Sequence, residues 1–146
     1  MEAKYYIPTI EEFHLGFEFE HLNFQGKLIS NHPSNTAEWH KEICDADWFN
    51  ILLDDYEHSS EEVNKYRVKY LDKEDIESLG WEISKIQRNP KTTCFEKSDT
   101  AFRFVLEIDI DSVKIDAYLD FKIPMFIGSV KNKSELKKLM QMLNIT

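Results

Sequence analysis

The chain has 146 residues, 42% of them apolar and 13% aromatic, and a formal charge of −9 from 27 acidic and 18 basic side chains. A chain of this length reads as one domain, residues 1–146, that buries roughly 70% of the surface it exposes when unfolded, and its apolar share excludes general disorder. The acidic balance argues against direct nucleic-acid binding, which relies on a cationic excess to release counterions; it fits either plain solubility or a basic partner.

Cys44 and Cys94 are the only cysteines, with no Cys-x-x-Cys pattern, so two reduced thiols are expected in place of a disulfide scaffold. Residues 1–6 lack the apolar core of a signal peptide, and no apolar run reaches transmembrane length. The expectation is a cytoplasmic protein, without a membrane partner.

In chain order, Thr9 and Glu12 form a capping-box pattern that opens a short helix, which Gly16 stops. Leu15, Phe17 and Phe19 then alternate with polar residues as a half-buried strand, and residues 27–30 read as a further short strand. Residues 31–35 have loop chemistry. Trp39 and Ile43 are too apolar for a loop, while Trp48, Leu52 and Tyr56 recur at helical spacing and predict a helix over residues 46–56.

Residues 65–71 read as a strand that runs into a fully specified helix at 73–79. Asp72 is its cap, Leu71 and Ile76 its hydrophobic staple, Gly80 its left-handed stop, and Trp81 folds back on Ile76. Residues 81–86 alternate as a strand. The pattern over 102–110 and 113–121 predicts a β-hairpin turning at Asp111 and Ser112. Its register sets Asp109 opposite Lys114, Val105 opposite Tyr118, Arg103 opposite Asp120 and Glu107 opposite Asp116. Residues 125–130 follow as a third strand. Asn132 then caps a last helix whose apolar stripe is Leu136, Leu139, Met140 and Leu143, ended by Asn144. The predicted class is α+β: an antiparallel sheet with short capped helices and a C-terminal helix packed on one face.

Residues 5–19, 67–81 and 128–139 resemble short uncharacterised proteins of Bacteroidetes genomes and of their phages and prophages. The resemblance covers about a third of the chain. It implies a mobile-element origin and a compact scaffold, and brings no catalytic motif with it.

Candidate chemistry is sparse. Glu107 and Asp116, with Asp109, Asp120 and Asp111 nearby, form an outward carboxylate group that could hold a divalent cation or act as an acid/base pair; a solvated acidic face is the alternative. His40 and Cys44 stand four apart, but two ligands do not make a zinc site. No nucleotide-binding glycine pattern or nucleophile elbow occurs. Trp39, Trp48, Phe49 and Tyr56 read either as core or as aromatic anchors flanked by Asp45, Asp47, Asp54, Asp55 and Glu57, suited to a basic partner.

The expectation is therefore a phage-encoded, non-enzymatic binding protein that inhibits a host factor, such as an RNA-guided nuclease in the manner of an anti-CRISPR protein. It would act through Trp48, Asp54, Asp55, Tyr56, Glu57, Glu107, Asp109 and Asp116, with no cofactor and no metal. A small metal-dependent hydrolase using the carboxylate cluster and a self-associating structural or accessory subunit are the alternatives.

Overall fold

The computed structural model describes residues 4–24, 37–58, 62–98, 102–109 and 114–146. The expected strand at 27–30, the loop at 31–35 and the Asp111–Ser112 turn lie outside these residues. The chain divides into two compact units, Met1–Lys69 and Tyr70–Thr146. The boundary falls inside the 67–81 stretch, so its strand belongs to the first unit and its capped helix to the second.

In the first unit, Thr9 N–H donates to Glu12 Oε2 at 2.8 Å, and the box closes a single 3-10 turn, Ile10–Glu12. The strands are β1 (Tyr5–Tyr6), β2 (Glu18–Phe24), β3 (Ala37–Ile43) and, after helix α1 (Ala46–His58), β4 (Tyr66–Lys69). They form an antiparallel sheet in the order β1-β4-β2-β3. The expected alternation from Leu15 fails, since Leu15 is 71% exposed and β2 starts at Glu18. Gly16 turns left-handed there, at φ 86°, and its N–H donates to the Cys44 carbonyl at 2.8 Å, which uncouples Leu15 from the strand.

One face of this sheet packs on α1. Phe13, Phe17, Phe19, Tyr66, Val68 and Leu52 are buried in a shared core, edge-on rings being typical of the contacts. The opposite face carries a different construction. The Arg67 guanidinium lies between the rings of Tyr5 and Trp39, 3.9 and 4.0 Å from their centroids. Its Nε and Nη2 both reach Glu20 Oε2 at 2.7 Å, directly across the β2–β4 pairing.

The second unit follows the predicted pattern closely. Asp72 accepts from Asp75 N–H at 2.9 Å and starts α2 (Lys73–Ser78); Gly80 ends that turn at φ 83°. Strands β5 (Glu82–Ile83), β6 (Thr93–Ser98), β7 (Arg103–Asp109), β8 (Lys114–Leu119) and β9 (Ile123–Ser129) form a second antiparallel sheet in sequential order. The β7–β8 register is the predicted one: Asp109 faces Lys114, Glu107 faces Asp116 and Val105 faces Tyr118. Arg103 receives the Asp120 N–H on its carbonyl at 2.8 Å. Asp120 and Phe121 both have positive φ, 50° and 58°, and the Lys122 N–H donates to the Leu119 carbonyl at 3.0 Å, a tight turn that leads β8 into β9 at the Leu119–Ile123 pair.

The strand expected over 81–86 shortens to two residues. Ser84 takes the Ile86 N–H on its hydroxyl at 3.1 Å, and the Gln87 side chain replaces the missing strand at Cys94: it accepts the Cys94 N–H at 2.8 Å and donates to the Cys94 carbonyl at 3.2 Å. Helix α3 (Lys133–Met142) is capped by Asn132, which accepts from Glu135 N–H at 2.9 Å. Its stripe of Leu136, Leu139 and Met140 joins Leu71, Ile76, Trp81 and Leu106 in one core, and Trp81 Nε1 lies 3.4 Å from Met140 Sδ. The class is thus α+β, with two antiparallel sheets and a C-terminal helix.

Candidate functional site

Helix α1 holds five of the eight candidate residues. Asp45 starts it, accepting from Trp48 N–H at 2.8 Å. Leu52 is fully buried and fixes the rotational phase of the helix. That phase turns Trp48 and Tyr56 inward. Trp48 meets Phe19 and His21 edge-on, at 5.4 and 5.1 Å between centroids. Tyr56 lies parallel to Tyr66 at 6.1 Å, and its hydroxyl donates to the Pro8 carbonyl at 2.7 Å. Burial and the nearby Glu12 and Glu11 push the Tyr56 phenol up to about 12. Both aromatics are half-buried and pack against the core of this unit.

Asp55 accepts a short hydrogen bond from the Tyr66 hydroxyl and so belongs half to the core. Asp54 and Glu57 point to solvent, together with Asp47, Ile51 and Leu53; Asp54 Oδ1 lies 3.3 Å from His58 Nδ1. The outer face of α1 is therefore acidic with two exposed aliphatic side chains, Ile51 at 48% and Leu53 at 37%.

The second candidate group occupies the β7–β8 face of the other sheet. Glu107 and Asp116 are direct cross-strand neighbours, as the register demands. Yet Glu107 is not an open carboxylate. Thr92 Oγ1 donates to its Oε1 at 2.9 Å, and Arg88 Nη1 stands 4.0 Å from its Oε2. Arg88 also lies over the Tyr118 ring at 5.0 Å. Beside it, Arg103 pairs with Glu96 at 3.4 Å and lies over Phe121 at 4.8 Å. Burial, then the charges of Asp116 and Glu107, raise the Tyr118 phenol above its usual value against the opposing pull of Arg88. The face expected to be acidic and solvated is a mixed network of carboxylates, guanidinium groups and rings. Val105 and Cys94, on the same side of their strands as Glu107, are fully buried. Asp109 faces Lys114, and Asp111 lies outside the described residues.

His40 and Cys44 do not share a helix face, because residues 37–43 are strand; a four-residue separation there spans roughly 13 Å. Among the described residues, no group of three or more His, Cys, Asp or Glu side chains is placed to hold a metal ion, and no helix is long and apolar enough to cross a membrane.

The charge is unevenly divided. Residues 1–69 hold 14 acidic and 6 basic side chains, and residues 70–146 hold 13 and 12, so the first unit carries −8 and the second −1. No Lys or Arg occurs from residue 42 to residue 64, against eight acids. A count along the chain finds this asymmetry once the unit boundary is known. Arg88, by contrast, sits in a turn whose sequence does not say which face it folds over. Comparisons with protein-family models, with curated proteins and with solved structures return no match.

Proposed function

We propose that this chain is a non-enzymatic binding protein of phage or prophage origin that docks the acidic outer face of α1 on a basic surface of a host protein, the surface of an RNA-guided nuclease that otherwise receives nucleic acid being the preferred target. One observation carries the reading: nearly all of the net charge, −8 of −9, lies on the unit whose helix α1 exposes Asp47, Asp54 and Glu57, flanked by Ile51 on one side and Leu53 on the other. A concentrated field of one sign steers association with the opposite sign and excludes nucleic acid from the same surface, while exposed aliphatic side chains supply desolvated contact. The Glu107 network contributes less to this reading, since Glu107 is already engaged by Thr92 and Arg88, and Glu96 by Arg103.

The test mixes the purified chain with guide-loaded nuclease and measures complex formation and target-DNA binding across a salt series. The expected result is a complex that blocks DNA binding, weakens steeply with salt, and is lost in an Asp54→Lys, Glu57→Lys double variant. Inhibition that survives the charge reversal, or no complex at low salt, would overturn the proposal.

A further inference from the structure

Among the described residues the two sheets have four edge strands, and three of them are guarded. Strands β1 and β5 are two residues long. Strand β3 is seven residues long but carries Glu38, Lys41 and Glu42. Short edges and charged edges both discourage another strand from pairing. Strand β9 is the exception. It has seven residues, Ile123 to Ser129, and no charged side chain between Lys122 and Lys131. It pairs with β8 on one side and ends the sheet on the other. Its protections, Pro124 and the register shift between Ala117 and Tyr118, both lie in its first half. The stretch from Phe126 to Ser129 has neither, and Ile127 is 70% exposed, among the most exposed large apolar side chains of the chain.

We infer that β9 pairs antiparallel with β9 of a second copy of this chain, about a two-fold axis through Ile127, joining two five-stranded sheets into one. Two observations favour a second copy over a foreign strand. The sequence is self-complementary in this register. Ile127 meets Ile127 of the second copy, an apolar cross-strand pair on an otherwise exposed site. Phe126 falls opposite Gly128 of the second copy, a residue with no side chain, and the Phe126 ring lies along its own strand over its own Gly128, so the two 126–128 pairs bring no bulky side chains into conflict. Met125 falls opposite Ser129. A closed two-fold of this kind uses the same patch on both molecules and leaves no further β9 edge free. Charge also permits it. The unit that carries β9 is nearly neutral, with 13 acidic and 12 basic residues, so its own net charge does not oppose the pairing.

Sedimentation of the full chain from micromolar to near-millimolar concentration tests this, and a monomer–dimer equilibrium is expected. Ile127→Lys, at a site exposed enough to leave the fold intact, should weaken the dimer by at least ~tenfold, since it sets like charges directly opposite each other. A second variant reads the geometry itself. With the axis at residue 127, Ile127→Cys places two thiols within the ~5 Å of a direct cross-strand pair, and mild oxidation should link two chains covalently. Ser129→Cys, opposite Met125, should not link. A monomer at every concentration would overturn the inference, whatever else binds β9. A dimer indifferent to Ile127→Lys, or one that links through residue 129 and not 127, would overturn it equally.

Discussion

Replacing Arg67 with alanine removes a guanidinium that two rings and one carboxylate hold at once. Each ring contact, at 3.9 and 4.0 Å, is worth about 0.5–1 kcal/mol at a partly exposed site. The charged hydrogen bonds to Glu20 are worth about 1.5–3 kcal/mol where water is largely excluded. Here the Arg67 side chain is 27% exposed and Glu20 13%, so solvent screens the pair in part and the lower end applies. The sum predicts a loss of about 3 kcal/mol for Arg67→Ala, with Glu20 left nearly buried and without its cation. Arg67→Lys keeps the charge but not the planar stack between Tyr5 and Trp39, and should lose about 1–2 kcal/mol.

Hydrogen exchange at the β2 and β4 amides reads the stability of this unit directly, whether or not the two units unfold together. A double-mutant cycle with Glu20→Gln should return a coupling of about 1–2 kcal/mol. A loss below ~1 kcal/mol for Arg67→Ala, or an Arg67→Lys variant as stable as the parent, would refute the argument that stacking and pairing act together.

Four further outcomes are expected. Tyr56, with its phenol raised to about 12, should show phenolate absorbance well above the ordinary tyrosine range; because the shift is upward, its contribution is complete below the unfolded value near 10 and is lost as pH rises through the folded one, so Tyr56→Phe should flatten the alkaline loss of stability. Burial lowers the His21 imidazole, outweighing the opposing charge of Glu42; its contribution is complete above the unfolded value and lost as pH falls, and His21→Gln should remove a component of the acid slope no steeper than ~1.4 kcal/mol per pH unit, as measured by urea midpoints. Gly128→Ala should destabilise by about 1–2 kcal/mol, because its Cβ would lie 2.5 Å from Phe126 Cζ, overriding the usual gain of about 0.5–1 kcal/mol from removing a strand glycine; a raised melting temperature would show that the ring yields. Glu57→Lys should leave α1 unchanged or stabilise it by about 0.3–1 kcal/mol, seen by circular dichroism on heating, while weakening the proposed docking.

Local signals were legible wherever two independent ones agreed. The β7–β8 register followed from the apolar alternation and, separately, from the Asp109–Lys114 and Val105–Tyr118 pairs, so a slip by one residue would have broken both. The caps at Asp72 and Asn132 need only three residues to declare themselves. Strand β3 did not declare itself, since Glu38, His40 and Glu42 fall on the side where core residues are expected and the alternation reads as polar on both faces. At the candidate site, the spacing of Trp48, Leu52 and Tyr56 announced one helix face but not its direction. Only the full burial of Leu52 decides that this face is core and that Asp54 and Glu57 look outward.

That direction gives the acids of α1 their meaning. The carboxyl end of a helix carries partial negative charge, and anionic side chains within the last turn oppose it by about 0.3–1 kcal/mol each. Asp54, Asp55 and Glu57 all crowd the end of α1, while its only acid in the first turn is Asp47. Asp55 has a structural reason, its bond to the Tyr66 hydroxyl. Asp54 has a partial one in the exposed His58. Glu57 is exposed at the unfavourable end and adds to a unit already at −8. Folding of the unit alone would favour lysine at that position, and would favour some basic residue among 42–64 to relieve self-repulsion. Acids that the helix disfavours and the core does not use are best explained by a role outside the fold. The outer face of α1 is therefore a stronger candidate for the partner-binding surface than the β7–β8 sheet, where Thr92 and Arg88 already engage Glu107 and Lys114 faces Asp109.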